Sequence, residues 1–495
     1  ALRAAGKPDD AITHLAAVRK QYEAALLKGD ETRKEWAILL HFQHGLALKD
    51  SGKYPEAKAL MEDFMKRYPG RPETLEASLR IGQALVVKAK GILDSAVGKL
   101  SKADLSAEDR MQARTERQTA LLSYQSSAQY FKQMLVSQAN QPDAPLWPRV
   151  HYELAWCFRP QAEIQIASVR ESLLADAKRA AAREGKPEDE VEVPLSKVPI
   201  QPAEGQLVDQ YKIIIQKWPE ASIAIDARFE LAEHYSRRGQ HPEAIPLLTT
   251  ALTKPIRTDL KIKTQFLLGA ALHETKKFQE TVPQFEEVIK NVNSPLAPHA
   301  ALRAGESLLQ LKAFDKAAAK FQLFIDQKEF QNVPDLSDRG LLRLAFAQGK
   351  LAKHPDSQKT CDLMISRFPK SLFIYEAQFM KGEALLAQKQ FDASIQTYEA
   401  VVAATDNEFA ARAQIQIGIC RMEKKLYAEA VQDFLKVIYT YNYANWKAAA
   451  LSKAANASLM DKKTGEAKKY LKQIATEFPD TEFAVLAKEQ LSKLQ

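Results

Sequence analysis

His41 and His44 stand three residues apart, a spacing at which two imidazoles on one helix face can share a metal. No carboxylate or cysteine at ligand spacing joins them, so the sequence predicts ordinary helix residues there and no metal site. His273-Glu274 opens like a zinc-protease helix, but Thr275-Lys276-Lys277 follows where the second histidine would have to come. The phosphate loop GxxxxGK(S/T), the dinucleotide fingerprint GxGxxG and the nucleophile elbow GxSxG are all missing. Cys157, Cys361 and Cys420 lie far apart, each inside an apolar helical pattern, and read as small core hydrophobes that define neither a disulfide framework nor a redox compartment. No catalytic residue and no cofactor is therefore expected. The chemistry left to such a chain is recognition.

The elements that would present a recognition surface are helical. The chain has 495 residues, roughly three times what one globular core takes. Only 18 are Gly, while Ala, Leu, Lys, Gln and Glu, which lose little freedom in a helix, dominate. Lys and Arg number 70 against 62 Asp and Glu, a net charge of +8, but the two signs interleave as on solvated helix faces. Nucleic-acid binding would need clustered cations with stacking aromatics along one groove, and the aromatics here are taken up by a repeat. No apolar run approaches the ~20 residues that cross a bilayer.

That repeat is strict. Gly45, Ala232, Gly269, Gly305, Ala345, Gly382, Gly418 and Ala455 each precede, by nine residues, Tyr54, His241, Phe278, Phe314, His354, Phe391, Tyr427 and Thr464. Twelve residues after each comes a second small one (Ala57, Ala244, Thr281, Ala317, Ser357, Ser394, Ala430, Ala467), and sixteen after it Met61, Leu248, Phe285, Phe321, Cys361, Tyr398, Phe434 or Leu471. From Ala232 on, the units are 37, 36, 40, 37, 36 and 37 residues long. Each unit reads as a helical hairpin: two small residues let helices A and B approach, and the large apolar residue fills the space between them. Pro55, Pro242 and Pro355 mark the start of helix B, and aromatic-Pro pairs such as Phe368-Pro369 and Phe478-Pro479 mark its end. One hairpin leaves an apolar face in water, so the units must stack.

Small residue, aromatic at +9, Ala at +12, Phe or Tyr at +16 and Pro at +24 resemble the tetratricopeptide (TPR) motif over nearly the whole chain. Units of 36 or 37 residues in place of 34, and the missing early Trp, depart from it. The longer units look like those of bacterial envelope-associated TPR proteins, which would place the chain in a periplasm or envelope. The resemblance implies an all-α fold, a right-handed superhelical solenoid of TPR-like hairpins with helix A on its concave wall. One residue after the small position, that wall would carry Glu233, Glu306, Phe346, Glu383, Ile419 and Asn456, the candidate partner-binding residues. Three residues before it stand Phe42, Phe229, Phe266, Leu302, Leu342, Phe379, Ile415 and Ser452, read mostly as packing. The Lys and Asn with which family members clamp a chaperone's C-terminal carboxylate are not at matching positions, which disfavours a carboxylate-clamp co-chaperone. An extended or helical partner segment with apolar anchors and some basic residues fits better.

The register divides the chain into N-terminal units (1–158), an inserted helix with a Pro-rich connector (159–204), a regular array (205–480) and a capping helix (481–495). The insert is expected to protrude. A second departure is a long helix running to about Leu100 and another starting at about Glu108. The first unit lacks most of its helix A, which suggests an array entered partway. The sequence thus predicts a noncatalytic scaffold that binds proteins or peptide segments, with no nucleic acid and no membrane insertion in the visible chain. The alternatives are a structural subunit of a larger envelope assembly and the regulatory arm of a longer protein.

Overall fold

The computed structural model describes residues 1–102, 106–137, 141–187 and 191–494. The chain divides into two compact units, Ala1–Ile256 and Arg257–Gln495. In the first, α1 (Pro8–Leu26) precedes four hairpins: α2 (Glu31–Asp50) with α3 (Tyr54–Arg67), α4 (Pro72–Leu100) with α5 (Ala107–Val136), α6 (Trp147–Arg183) with α7 (Pro202–Lys217), and α8 (Ile223–Arg237) with α9 (His241–Leu252). The second holds α10 (Thr258–Glu274) with α11 (Phe278–Ile289), α12 (Ala297–Gln310) with α13 (Phe314–Asp326), α14 (Ser337–Lys350) with α15 (His354–Arg367), α16 (Ile374–Ala387) with α17 (Phe391–Ala404), α18 (Glu408–Glu423) with α19 (Tyr427–Thr440), and α20 (Ala444–Met460) with α21 (Thr464–Glu477). It finishes with α22 (Glu482–Lys493). Among the described residues there is no strand.

The repeat's landmarks fall where the hairpin needs them. All eight residues at +9, from Tyr54 to Thr464, are the first residue of a second helix. Each helical glycine in the register meets the large residue at +16: a Cβ would lie 2.7 Å from Met61 at Gly45, 2.4 Å from Phe321 at Gly305, and 2.5 Å from Tyr398 at Gly382 and from Phe434 at Gly418. Two helix backbones can approach this closely only because one of them carries no side chain there. Gly340 makes the same contact in reverse, 2.5 Å from Phe324 of the preceding hairpin, and so joins α14 to α13.

The turn between the helices also repeats, in a form the sequence hides. Seven residues after the small position the backbone turns left-handed: Gly52 and Gly239 do so, but so do Lys276, Lys312, Ala352, Lys389, Lys425 and Lys462, at φ between 57° and 63°. The next N–H then bonds back to the carbonyl five residues earlier, as in Lys277 to Leu272 and Leu426 to Arg421, both 2.9 Å. This is the capping geometry that usually calls for glycine, and a side chain there costs about 1 kcal/mol. Packing of the two helices overrides that local preference in six of the eight turns.

Within each unit the first helices touch one another, α2–α4–α6–α8 in one and α10–α12–α14–α16–α18–α20–α22 in the other, whereas successive second helices make no comparable approach. First helices therefore form the crowded inner layer and second helices the outer. Phe42, Leu302, Leu342, Phe379 and Ile415 are buried within this packing, whereas Phe229, Phe266 and Ser452 at the same position are half-buried. At the end of the second unit Ala484 and Ala487 of α22 close over Leu471 and Ile474, while Val485 and Leu486 face outward beside Lys488 and Glu489.

The insert differs from expectation. Helix A of the third hairpin and the inserted helix are one continuous 37-residue element, α6, with Pro160 inside it. The connector does not stand free. Val193 and Val198 are buried, Arg170 donates to the Val193 carbonyl at 2.8 Å, and a short 3-10 turn covers Leu195–Lys197. Arg238, at the end of α8, holds it: the guanidinium donates to the carbonyls of Leu195 (2.8 Å) and Val198 and to both carboxylate oxygens of the fully buried Glu204. Glu204 in turn accepts from the Gln201 backbone N–H (3.0 Å) at the start of α7. Arg238 stands where other units carry Ser51, Thr275 or Gln388, so spacing alone gave no sign of this clamp.

The histidine pair is structural. His41 is fully buried, its Nε2 donating to the Leu60 carbonyl (3.1 Å), with the Glu23 and Asp63 carboxylates each 3.5 Å from a ring nitrogen. His44 lies against the Arg19 guanidinium at 3.2 Å. Among the described residues no group of three or more His, Cys, Asp or Glu is arranged to hold a metal ion.

Two outcomes are predicted. Gly418→Leu should cost about 1–3 kcal/mol in thermal or denaturant unfolding although leucine is the better helix former, because the side chain has to displace Phe434. No loss would mean that the register is wrong. The second concerns pH. Desolvation, aided by Arg19, holds His41 down to about 4 against the opposing Glu23 and Asp63. Between that value and the ordinary 6.5 the unfolded chain binds the extra proton, so stability rises with pH across the window and is lost on acidification. Burial lowers His44, His151, His234, His273 and His299 in the same sense. Going from pH 7 to 4.5 should remove up to about 2–3 kcal/mol through His41. His41→Gln should flatten the unfolding free energy against pH by that amount, and an unchanged slope would contradict the assignment.

Candidate protein-interaction surface

The inner layer is laced by ion pairs between successive first helices. In the first unit Arg159 of α6 reaches Glu230 and, at 3.5 Å, Glu233 of α8, while its guanidinium lies 4.8 Å from the Trp156 ring. Likewise Glu153 of α6 takes hydrogen bonds from Gln83 of α4 (2.8 Å) and from Arg149 (2.7 Å). In the second unit Arg303 of α12 pairs with Glu274 of α10 at 3.4 Å, and Arg339 of α14 with Glu306 of α12 at 3.1 Å. The cause is geometric. Stacked first helices bring acidic side chains of one helix beside arginines of a neighbouring first helix, as Glu306 at +1 meets Arg339 near the start of α14.

This alters the expected acidic wall. Glu233 is half-buried, already partnered, and shares a cavity of about 30 Å³ with Leu195 of the connector and Ile166 of α6, so the chain's own insert occupies that part of the first unit's surface. Glu306 is shared between Arg339 and, at 4.0 Å, Arg343. Ile419 is half-buried against the cluster formed by α18, α19 and α20. Asn456, on α20, is half-exposed.

Phe346 and Glu383 are brought together. They line a cleft of about 190 Å³ between α14 and α16, floored by Ala345, Gly349, Met380 and Ala384 and rimmed by Lys350, His354 and Ser357. The Lys350 ammonium sits 5.2 Å over the Phe346 ring. Glu383 is exposed and, unlike Glu233 and Glu306, has no ion-pair partner among the described residues. Partial desolvation in the cleft raises its carboxyl above the usual range, opposed by the fields of Arg412 and Lys350. Arg412 of α18 is itself occupied, its guanidinium 4.5, 5.4 and 5.6 Å from the rings of Phe379, Phe409 and Trp446. Neither this stack nor the arginine pairing was foreseen. Reading the position six residues before each small residue, where Arg339 and Arg412 stand, would have pointed to the stack and to the Arg339–Glu306 pair.

The three cysteines are buried and unpaired with one another. Burial pushes Cys361 up to about 12 and raises Cys420, which leaves both as thiols with little nucleophilic character at neutral pH.

The family profiles that match the chain agree with this architecture. Tetratricopeptide repeat profiles match residues 42–110, 266–332, 379–445 and 449–481. No curated protein is significantly similar to the chain. Among solved structures, a tetratricopeptide repeat protein from Parabacteroides merdae is 15% identical with a TM-score of 0.31, covering 60% of this chain and 98% of its own. The apo form of RapI is 14% identical with a TM-score of 0.34, covering 50% and 99%. A Podosopora anserina protein with nearly identical TPR-like repeats is 17% identical with a TM-score of 0.31, covering 36% and 93%. No helix among the described residues is long and apolar enough to cross a membrane. Tetratricopeptide arrays are typically noncatalytic and mediate protein–protein interactions. With the motif's small residues, rings and hairpin boundaries all in register, the chain is a tetratricopeptide-repeat protein, an all-α repeat solenoid of the kind that serves as a protein-interaction scaffold.

Proposed function

We propose that the chain is a noncatalytic scaffold that holds a segment of a partner protein on the inner helix layer of its second unit, anchored in the Phe346–Glu383 cleft. The supporting observation is that Glu383 has no ion pair among the described residues while Glu233 and Glu306 are paired with arginines. An anchor side chain with an apolar body would lie on Phe346 and Met380 and turn an N–H or O–H donor toward the Glu383 carboxylate. Tyrosine, tryptophan and arginine have that form and a size suited to the cleft's volume of about 190 Å³. Ile419 and Asn456, on the next inner helices, would extend the contact along an elongated segment.

A structural role within a larger assembly is the second reading, favoured by the lengthened α4, α5 and α6. Deleting residues 160–204 is a poor test of it, since that would leave Arg238 buried without Glu204.

The proposal is tested by comparing the proteins crosslinked to wild type, Phe346→Ala and Glu383→Lys in extracts of the native host. Both variants lie on an open surface and should keep wild-type helicity. A partner captured by wild type should bind either variant about thirtyfold more weakly, the equivalent of losing one anchor of about 2 kcal/mol. Identical partner profiles and affinities would sink the cleft as the anchor.

A further inference from the structure

Helix α5 is longer than any regular second helix. At 30 residues it is more than twice the 12–14 of α9, α11, α13 and α15. Its inner stripe, Ala113, Ala120, Tyr124, Ala128, Phe131 and Met134, is buried. The distal part closes on alanines, Ala113 and Ala120 together with Ala89 and Ala96 of α4, all fully buried, and Lys99 bridges to Glu116 at 2.6 Å.

On the side opposite the buried stripe, at helical spacing, lie Met111, Thr115, Gln118, Leu122, Gln129, Gln133 and Val136. All are exposed and none is charged; Met111 is 68%, Leu122 54% and Val136 79% accessible. An uncharged outward ridge of seven turns is out of keeping with a chain in which 27% of residues are charged. Along one flank run Arg110, Arg114, Arg117 and Lys132, also exposed. Arg110, Arg114 and Arg117 pair with no carboxylate among the described residues, and Lys132 lies 5.2 Å from the Phe158 ring. Elsewhere the inner arginines Arg159, Arg303 and Arg339 each have an acid.

We propose that this face docks an amphipathic helix of a partner protein, with apolar residues against Met111, Leu122 and Val136 and an acidic flank against Arg110, Arg114, Arg117 and Lys132. Charge complementarity selects the occupant. A second copy laid antiparallel would bring Lys132 of one chain beside Arg114 and Arg117 of the other, like against like. A membrane surface would want a denser apolar stripe than three residues separated by glutamines. Nucleic acid would leave the apolar residues unused and finds no aromatic on this face to stack on. The surface is separate from the inner cleft and does not depend on it.

The test uses the full chain as bait for a displayed library of amphipathic helices about 20 residues long, randomised on the polar face. Enriched helices should be rich in Asp and Glu. Their affinity should fall on the order of tenfold or more for Leu122→Glu and for Arg114→Glu with Arg117→Glu, weaken with added salt, and stay unchanged for Phe346→Ala. All these positions are solvent-facing, and unchanged circular dichroism and melting would confirm intact folding. No enriched helices, enrichment of basic or neutral ones, or equal binding by the α5 variants would overturn the proposal. So would phosphatidylserine vesicles or duplex DNA that bind wild type and lose that binding in the same variants, which would assign the face to a membrane or a nucleic acid instead.

Discussion

Close approach of two helix backbones at one small residue is the constraint on which the rest of this protein depends. Where Gly418 faces Phe434, or Gly382 faces Tyr398, the ring occupies the volume a Cβ would need. That contact sets the separation of the helices and hence the length of the turn. The turn is so short that six non-glycine residues accept a left-handed backbone to complete it. A local cost of about 1 kcal/mol per turn is outweighed, where the +16 residue is a ring, by its burial, since fully burying a phenylalanine is worth about 1.5–3 kcal/mol before its other contacts are counted. The repeat is therefore held by packing and tolerates poor turn chemistry.

The same spacing governs what each unit offers to a partner. Because first helices crowd together, Glu233 and Glu306 at +1 lie within reach of Arg159 and Arg339 on neighbouring helices and are paired inside the protein. Such exposed or half-exposed pairs add little stability, below about 1 kcal/mol each, but they remove charge from the surface. What stays available is what escapes the pairing: Glu383 beside Phe346 on the inner layer, and the arginines of α5 on the outer. In the first unit the surface at Glu233 is further reduced by the chain's own connector, bolted down by Arg238 and Glu204. A buried pair like this makes breaking the contact costly, and so keeps the strap in one place.

The hairpins were legible from residue types alone because their determinants are local and periodic: a small residue, an apolar residue or ring at +16, and in seven of eight units an aromatic or histidine where the second helix begins. Those signals report backbone distance, which tolerates few substitutes. The left-handed turns were not legible, since lysine at Lys389 or Lys425 gives no hint of the conformation it is forced into. Nor was the path of the connector, because the guanidinium that fixes it comes from a residue 40 positions beyond Val198. The candidate binding residues lie on first helices, as their spacing implies. Their electrostatic state was not readable, because the partner of Glu306 is supplied by the following hairpin and only stacking brings the two together.

The central claim, that a small residue facing a ring sets the helix spacing, is tested most directly by a double-mutant cycle between Gly418→Ala and Phe434→Leu, read by denaturant unfolding. Helix propensity alone would have alanine stabilise the chain by about 1 kcal/mol. The contact predicts instead that Gly418→Ala is destabilising beside Phe434 and becomes neutral or stabilising once the ring is replaced by leucine, with a coupling of at least about 1 kcal/mol. Additive effects, or an alanine that stabilises with the ring in place, would contradict it.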